Sequence, residues 1–100
     1  MAAEFEGRTA LVTGGNTGIG EAAAALLTAK GAEVCIVGRS QQRLTDVAER
    51  ISAAGATCWS LTADLAVDDH LIRVVETALN RWDRIDVLIN NAGIDVNEPF

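Results

Sequence analysis

Residues 13–20 read Thr-Gly-Gly-Asn-Thr-Gly-Ile-Gly, set between an apolar run, Arg8-Thr-Ala-Leu-Val-Thr13, and an alanine- and leucine-rich stretch, Gly18–Lys30. The apolar run predicts a strand, and the longer stretch predicts a helix that Gly31 stops. Glycines between them let the chain turn tightly and bring bare backbone close to an anion with no Cβ in the way. The N–H groups that open the helix, and the positive end of its dipole, then face that anion. A plain strand–helix turn would also use glycine. Three glycines at this spacing, between a strand and a helix, favour a cradle for the pyrophosphate of a dinucleotide.

Outward from this turn the same alternation recurs. Glu33–Gly38 predicts a second strand, and Ser40 is a good N-cap for a helix running to about Ala54, with Leu44, Val47, Ala48 and Ile51 on one face. Thr57–Thr62 predicts a third strand. Val67–Trp82 predicts a helix whose Leu71, Val74, Val75, Ala78, Leu79 and Trp82 follow the helical period, with Asp68 and Asp69 in the first turn where negative charge suits the dipole. Ile85–Asn90 predicts a fourth strand. Strands joined by helices run parallel, because the chain needs a crossover to return. The expected fold is therefore α/β: a Rossmann-type doubly wound parallel sheet in the order 3-2-1-4, with ligands bound beyond the carboxyl ends of the strands at the switch between strands 1 and 4.

Composition narrows the function. The chain has 100 residues, about one small domain, with 49% hydrophobic and 22% charged residues. Its net charge of −6 argues against a nucleic-acid partner, since phosphate backbones repel an acidic surface. There is no apolar run of about 18 residues to span a membrane, and the N-terminus does not read as a secretory signal. Cys35 and Cys58 sit in strand-like runs and read as buried, reduced thiols. The single histidine, His70, near the start of the third helix, reads as an exposed surface residue and leaves no metal cluster.

The other strand ends can be tested against the first. Gly38-Arg39-Ser40 follows strand 2, roughly 20 residues beyond the glycine turn, where an acidic residue would bind both ribose hydroxyls of NAD. Arg39 stands there instead and suits a 2′-phosphate, unless it is simply a solvated arginine. Asp64-Leu65 follows strand 3; the carboxylate suits the adenine amino group and the leucine the ring, or Asp64 caps the next helix. Asn90-Asn91-Ala92-Gly93 follows strand 4 and suits a ribose contact with close backbone approach, or a turn that ends the strand.

Together these sites resemble the short-chain dehydrogenase/reductase family over the whole chain. Thr13-Gly14-x-x-x-Gly18-Ile19-Gly20 matches its TGxxxGxG fingerprint, Asn90-Asn91-Ala92-Gly93 its NNAG motif, and Asp64-Leu65 its adenine-side motif; the opening Phe5–Gly14 is similarly familial. The resemblance implies that Gly14, Asn16, Thr17, Gly18, Ile19 and Gly20 line the pyrophosphate and nicotinamide side. It implies further that Arg39 meets the 2′-phosphate, that Asp64 and Leu65 hold the adenine, and that Asn91, Ala92 and Gly93 meet the ribose. Asn90 is expected to tie strands together. The family's catalytic Ser and Tyr-x-x-x-Lys lie downstream of NNAG, and this chain contains no tyrosine. The sequence thus resembles the first ~40% of a family member of about 250 residues. Residues 1–100 are read as the N-terminal part of a single NAD(P)-binding domain, with strand 4 as an open edge, the C-terminal part of the fold missing, and limited stability alone.

The resemblance implies an NADP-dependent oxidoreductase (NAD being the alternative cofactor) that transfers hydride between NADPH and a carbonyl or alcohol of a small organic substrate. This segment would supply cofactor binding and no catalytic residue. The parent is expected to be a cytoplasmic homo-oligomer, dimer or tetramer. A non-catalytic NADP-binding sensor or partner protein on the same fold is the competing reading.

Overall fold

The computed structural model describes residues 4–14, 17–64 and 68–91. The elements run β1 (Thr9–Thr13), α1 (Gly18–Ala29), β2 (Glu33–Gly38), α2 (Gln41–Ser52), β3 (Cys58–Thr62), α3 (Asp68–Arg81) and β4 (Val87–Asn90). Every strand pairing is parallel, and the sheet order is β3-β2-β1-β4, as the alternation of strands and helices requires. In register, Val12 lies beside Ile36 and Ile89, and Val37 beside Leu61.

The helices cover both faces. Side chains of a strand alternate between faces, and β1 and β2 are buried on both. Ala10, Val12, Val34 and Ile36 pack with Ala24 and Leu27 of α1 and with Leu44, Val47 and Ile51 of α2. Leu11, Cys35 and Val37 pack on the other face with Val74, Ala78 and Trp82. These strands therefore read as continuous apolar runs, the mark of a sheet sandwiched between two helical layers.

Local chemistry sets the ends of the helices. Ser40 Oγ accepts from the backbone N–H of Arg43 at 3.3 Å and caps α2. After α1 the chain turns at Gly31, whose φ of +100° suits a residue without Cβ. There the N–H of Gly31 donates to the carbonyl of Thr28 and that of Ala32 to the carbonyl of Leu27, closing the helix end. Glu21 of α1 and Arg50 of α2 join the two helices by a salt bridge of 2.9 Å.

Two departures from the sequence reading have identifiable causes. The fourth strand opens at Val87 rather than Ile85. The Asp86 carboxylate accepts from the Thr9 N–H at 2.9 Å and from Arg84 Nε at 2.7 Å, so a side chain begins the contact that the ladder continues. Cys58 is half-buried where full burial was expected, because β3 is an edge strand. Both thiols are free, and they lie in clusters on opposite faces of the sheet. Burial pushes the Cys58 thiol up to about 11 and Cys35 higher still, so neither is a thiolate nucleophile at neutral pH.

Candidate functional site

The carboxyl ends of β1, β2, β3 and β4 bring Gly14, Arg39, Asp64 and Asn91 to one edge of the sheet. Gly14 follows β1 with φ +71°, and its N–H donates to the carbonyl of Val37 at 2.7 Å, so the turn grows directly out of the sheet. Thr17 caps α1. Its hydroxyl accepts from the Gly20 N–H at 3.1 Å and donates to the Gly14 carbonyl at 2.8 Å. The Thr17 N–H also donates to that carbonyl, at 3.0 Å.

Across the switch point, β4 is tied to this turn. The Asn91 N–H donates to Thr13 Oγ1 at 2.9 Å, and Asn91 Nδ2 donates to Thr17 Oγ1 at 2.8 Å. Thr13 Oγ1 in turn donates to Asn90 Oδ1 at 3.0 Å. Asn90 thus joins β4 to β1, as expected of it. The Thr17 hydroxyl, with one hydrogen bond donated and two accepted, is saturated by protein groups. Its part is to orient α1 and Asn91.

The remaining donors at the start of α1 point to the chemistry. The Gly20 N–H is capped, and the Glu21 N–H reaches the Thr17 carbonyl at 2.8 Å. The N–H groups of Gly18 and Ile19 have no acceptor among the described residues. A Cβ built on Gly18 would meet nothing within 4 Å, so the space above that backbone is open. Two N–H groups at a positive helix end, beside open space, fit an anion such as a pyrophosphate. Ile19 is 74% exposed at the same corner and presents an apolar surface to whatever lies there.

Arg39 follows β2 and is exposed. Asp64 follows β3 and is half-buried; its N–H donates to His70 Nδ1 at 3.0 Å. Asn16, Leu65, Ala92 and Gly93 lie outside the described residues. The described residues hold no cluster of metal-ligating side chains. No described helix is long and apolar enough to cross a membrane.

Two contributors escaped the sequence reading. Thr13 was read only as the last residue of a strand and the first of a motif, yet it joins both strands at the switch point. His70, expected to be an exposed surface residue, is half-buried and holds the end of β3. Its six-residue separation from Asp64 across a strand–helix connection was the available signal.

The opposite edge of the sheet carries two surface depressions. One of ≈ 330 Å³ is lined mainly by Arg8, Thr9, Thr28, Glu33 and Thr57, and one of ≈ 280 Å³ by Thr9, Arg81, Trp82, Arg84 and Asp86. Apart from Asp83, which also lines the second, their charged groups are already paired: Arg81 with Glu33 at 3.1 Å, and Arg84 and Arg8 with Asp86 at 2.7 and 3.6 Å.

Comparison with known proteins agrees with this geometry. The short chain dehydrogenase family profile matches residues 8–100. Zerumbone synthase of Zingiber zerumbet is 38% identical over 90 residues, which are 90% of this chain and 33% of that protein. The short-chain dehydrogenase/reductase homolog YusS of Bacillus subtilis is 36% identical over 94 residues, 93% of this chain and 86% of that protein. The crystal structure of L-sorbose reductase from Gluconobacter frateurii, complexed with NADPH and L-sorbose, superimposes with a TM-score of 0.88 at 31% identity, covering 100% of this chain and 38% of the reductase. The chain thus spans about a third of zerumbone synthase and most of YusS. With a matching profile over nearly its whole length and the strand order and glycine turn described above, the chain belongs to the short-chain dehydrogenase/reductase family.

Proposed function

We propose that this chain supplies the cofactor-binding part of an NADP-dependent oxidoreductase that moves hydride between NADPH and a carbonyl or alcohol of a small organic substrate. The observation that carries this reading is the pair of N–H groups at Gly18 and Ile19 that find no acceptor among the described residues, beside open space at Gly18 and within a turn fixed by Thr13, Thr17 and Asn91. Gly14, Asn16, Gly18, Ile19 and Gly20 would line the pyrophosphate and nicotinamide side. Thr17 orients that turn. Asp64 and Leu65 would hold the adenine, and Asn91, Ala92 and Gly93 the ribose. The cofactor when bound supplies or accepts the hydride, and no catalytic residue is assigned within residues 1–100.

Arg39 supports NADP over NAD. It is an exposed cation at the end of β2, where an acidic side chain would repel a 2′-phosphate. The sorbose reductase neighbour was crystallised with NADPH. Titration with NADP⁺ and NAD⁺ tests the reading: NADP⁺ should bind about tenfold to a hundredfold more tightly, from one exposed charge-assisted contact. Equal affinities would overturn the assignment of Arg39.

A second reading, a non-catalytic NADP-binding protein, draws on YusS, most of whose length this chain spans. NADPH oxidation by the whole oxidoreductase of which this chain is proposed to be the cofactor-binding part, with a panel of small aldehydes and ketones, separates the two readings: turnover supports the enzyme, and binding without turnover supports the sensor. A cytoplasmic homo-oligomer is part of the proposal.

A further inference from the structure

We propose that His70 is a positioning residue for the adenine end of the cofactor site: its imidazole Nδ1 accepts from the Asp64 N–H and holds the backbone there. The inference rests on the NADP reading above.

The argument starts from an N–H group that the sheet does not use. The ladder between β2 and β3 pairs Gly38 with Thr62, and its continuation ends where the Ala63 N–H donates to the Gly38 carbonyl at 2.8 Å. The next N–H, that of Asp64, lies past the ladder on a half-buried residue, where a missing acceptor is costly. His70, in the first turn of α3, supplies one at 3.0 Å. That bond joins the residue that follows β3 to the first turn of α3.

A backbone N–H can only donate, so Nδ1 must carry a lone pair and the imidazole is neutral with its proton on Nε2.

The test compares the wild-type full chain with His70→Asn and His70→Phe. Asparagine carries an untitratable oxygen where histidine carries Nδ1, and phenylalanine keeps the ring without an acceptor. NADP⁺ affinity is measured by calorimetry at about pH 8, where an imidazole is neutral. His70→Asn, which restores an acceptor, should bind as wild type does. His70→Phe should bind about three- to tenfold more weakly, from one lost hydrogen bond. Equal affinities for wild type and His70→Phe would overturn the proposal while leaving the cofactor reading intact, and so would a loss as large in His70→Asn as in His70→Phe. Absence of NADP⁺ binding in all three at pH 8 would overturn the cofactor reading and this proposal with it. In the free protein, the Asp64 amide should exchange with solvent more slowly in wild type and His70→Asn than in His70→Phe; equal exchange in all three would refute the contact itself.

Discussion

At the amino end of the sheet, side chains satisfy one another. Trp82 Nε1 donates to Glu33 Oε2 at 2.6 Å, Arg81 Nε reaches the same oxygen at 3.1 Å, and the Arg81 guanidinium lies 4.5 Å from the centre of the Trp59 ring. Trp59 and Trp82 meet edge to face at 5.3 Å. Trp59 Nε1 is the exception, a buried side-chain donor with no partner among the described residues. At the carboxyl end, the bonds among the described residues fix the turn and leave the N–H groups of Gly18 and Ile19 without an acceptor, with open space at the Cβ position of Gly18. The contrast teaches a division of labour along the same four strands. One end gains stability by completing its contacts, while the other keeps donors available to a ligand.

Variants at either end should therefore separate stability from binding. The largest effect is expected from Trp82→Ala, which empties a site only 6% exposed and removes the partner of Glu33. It should lower unfolding free energy by about 3–5 kcal/mol. NADP⁺ affinity, measured on the fraction that stays folded, should hold; a parallel loss of affinity would break the comparison. Arg39→Asp should do the reverse. The ratio of NADP⁺ to NAD⁺ affinity should fall by at least tenfold, about 1.4 kcal/mol, with the Tm unmoved.

Thr17→Val probes the place where the two roles meet, since its hydroxyl both caps α1 and anchors Asn91. Loss of a cap costs about 0.5–2 kcal/mol, so Tm and NADP⁺ affinity should fall together. A fall in Tm alone would confine Thr17 to the helix. The smallest effect concerns acid. The Thr9 N–H, with Arg84 next, holds the Asp86 carboxyl below its ordinary value. A carboxyl depressed in the folded state stabilises fully above its unfolded pKa, and that contribution is lost as pH falls through the folded value. Asp86→Asn keeps an acceptor for Thr9 and removes the titration. Its Tm should therefore decline less steeply than wild type below about pH 4. Identical acid limbs would show that Asp86 does not couple β4 to β1.

Much of the fold was legible because each element declares itself locally. The apolar faces of α2 and α3 follow the helical period, Ser40 and Gly31 punctuate, and the observed ends fall within about two residues of expectation. The glycine turn was legible for the same reason: its residues are contiguous and its need for φ above zero at Gly14 is local. The bonds of Asn91 to Thr13 and Thr17 were not, since they join residues 78 and 74 positions apart. Nor was the place of His70, where an amphipathic helix gave no hint that its first turn reaches back to a strand end.

The sequence by itself determined the alternation of strands and helices, the parallel sheet that follows from it, and the residue types at each strand end. Those properties depend on neighbours along the chain: side-chain periodicity, caps and glycine conformations. Tertiary structure alone decided which of these groups would be spent on the protein and which left for a ligand. The hydroxyl of Thr17 looks as available as any other in the glycine turn until β4 delivers Asn91 against it. The N–H groups of Gly18 and Ile19, without an acceptor among the described residues, are meaningful only because polar groups around them have found partners from distant parts of the chain.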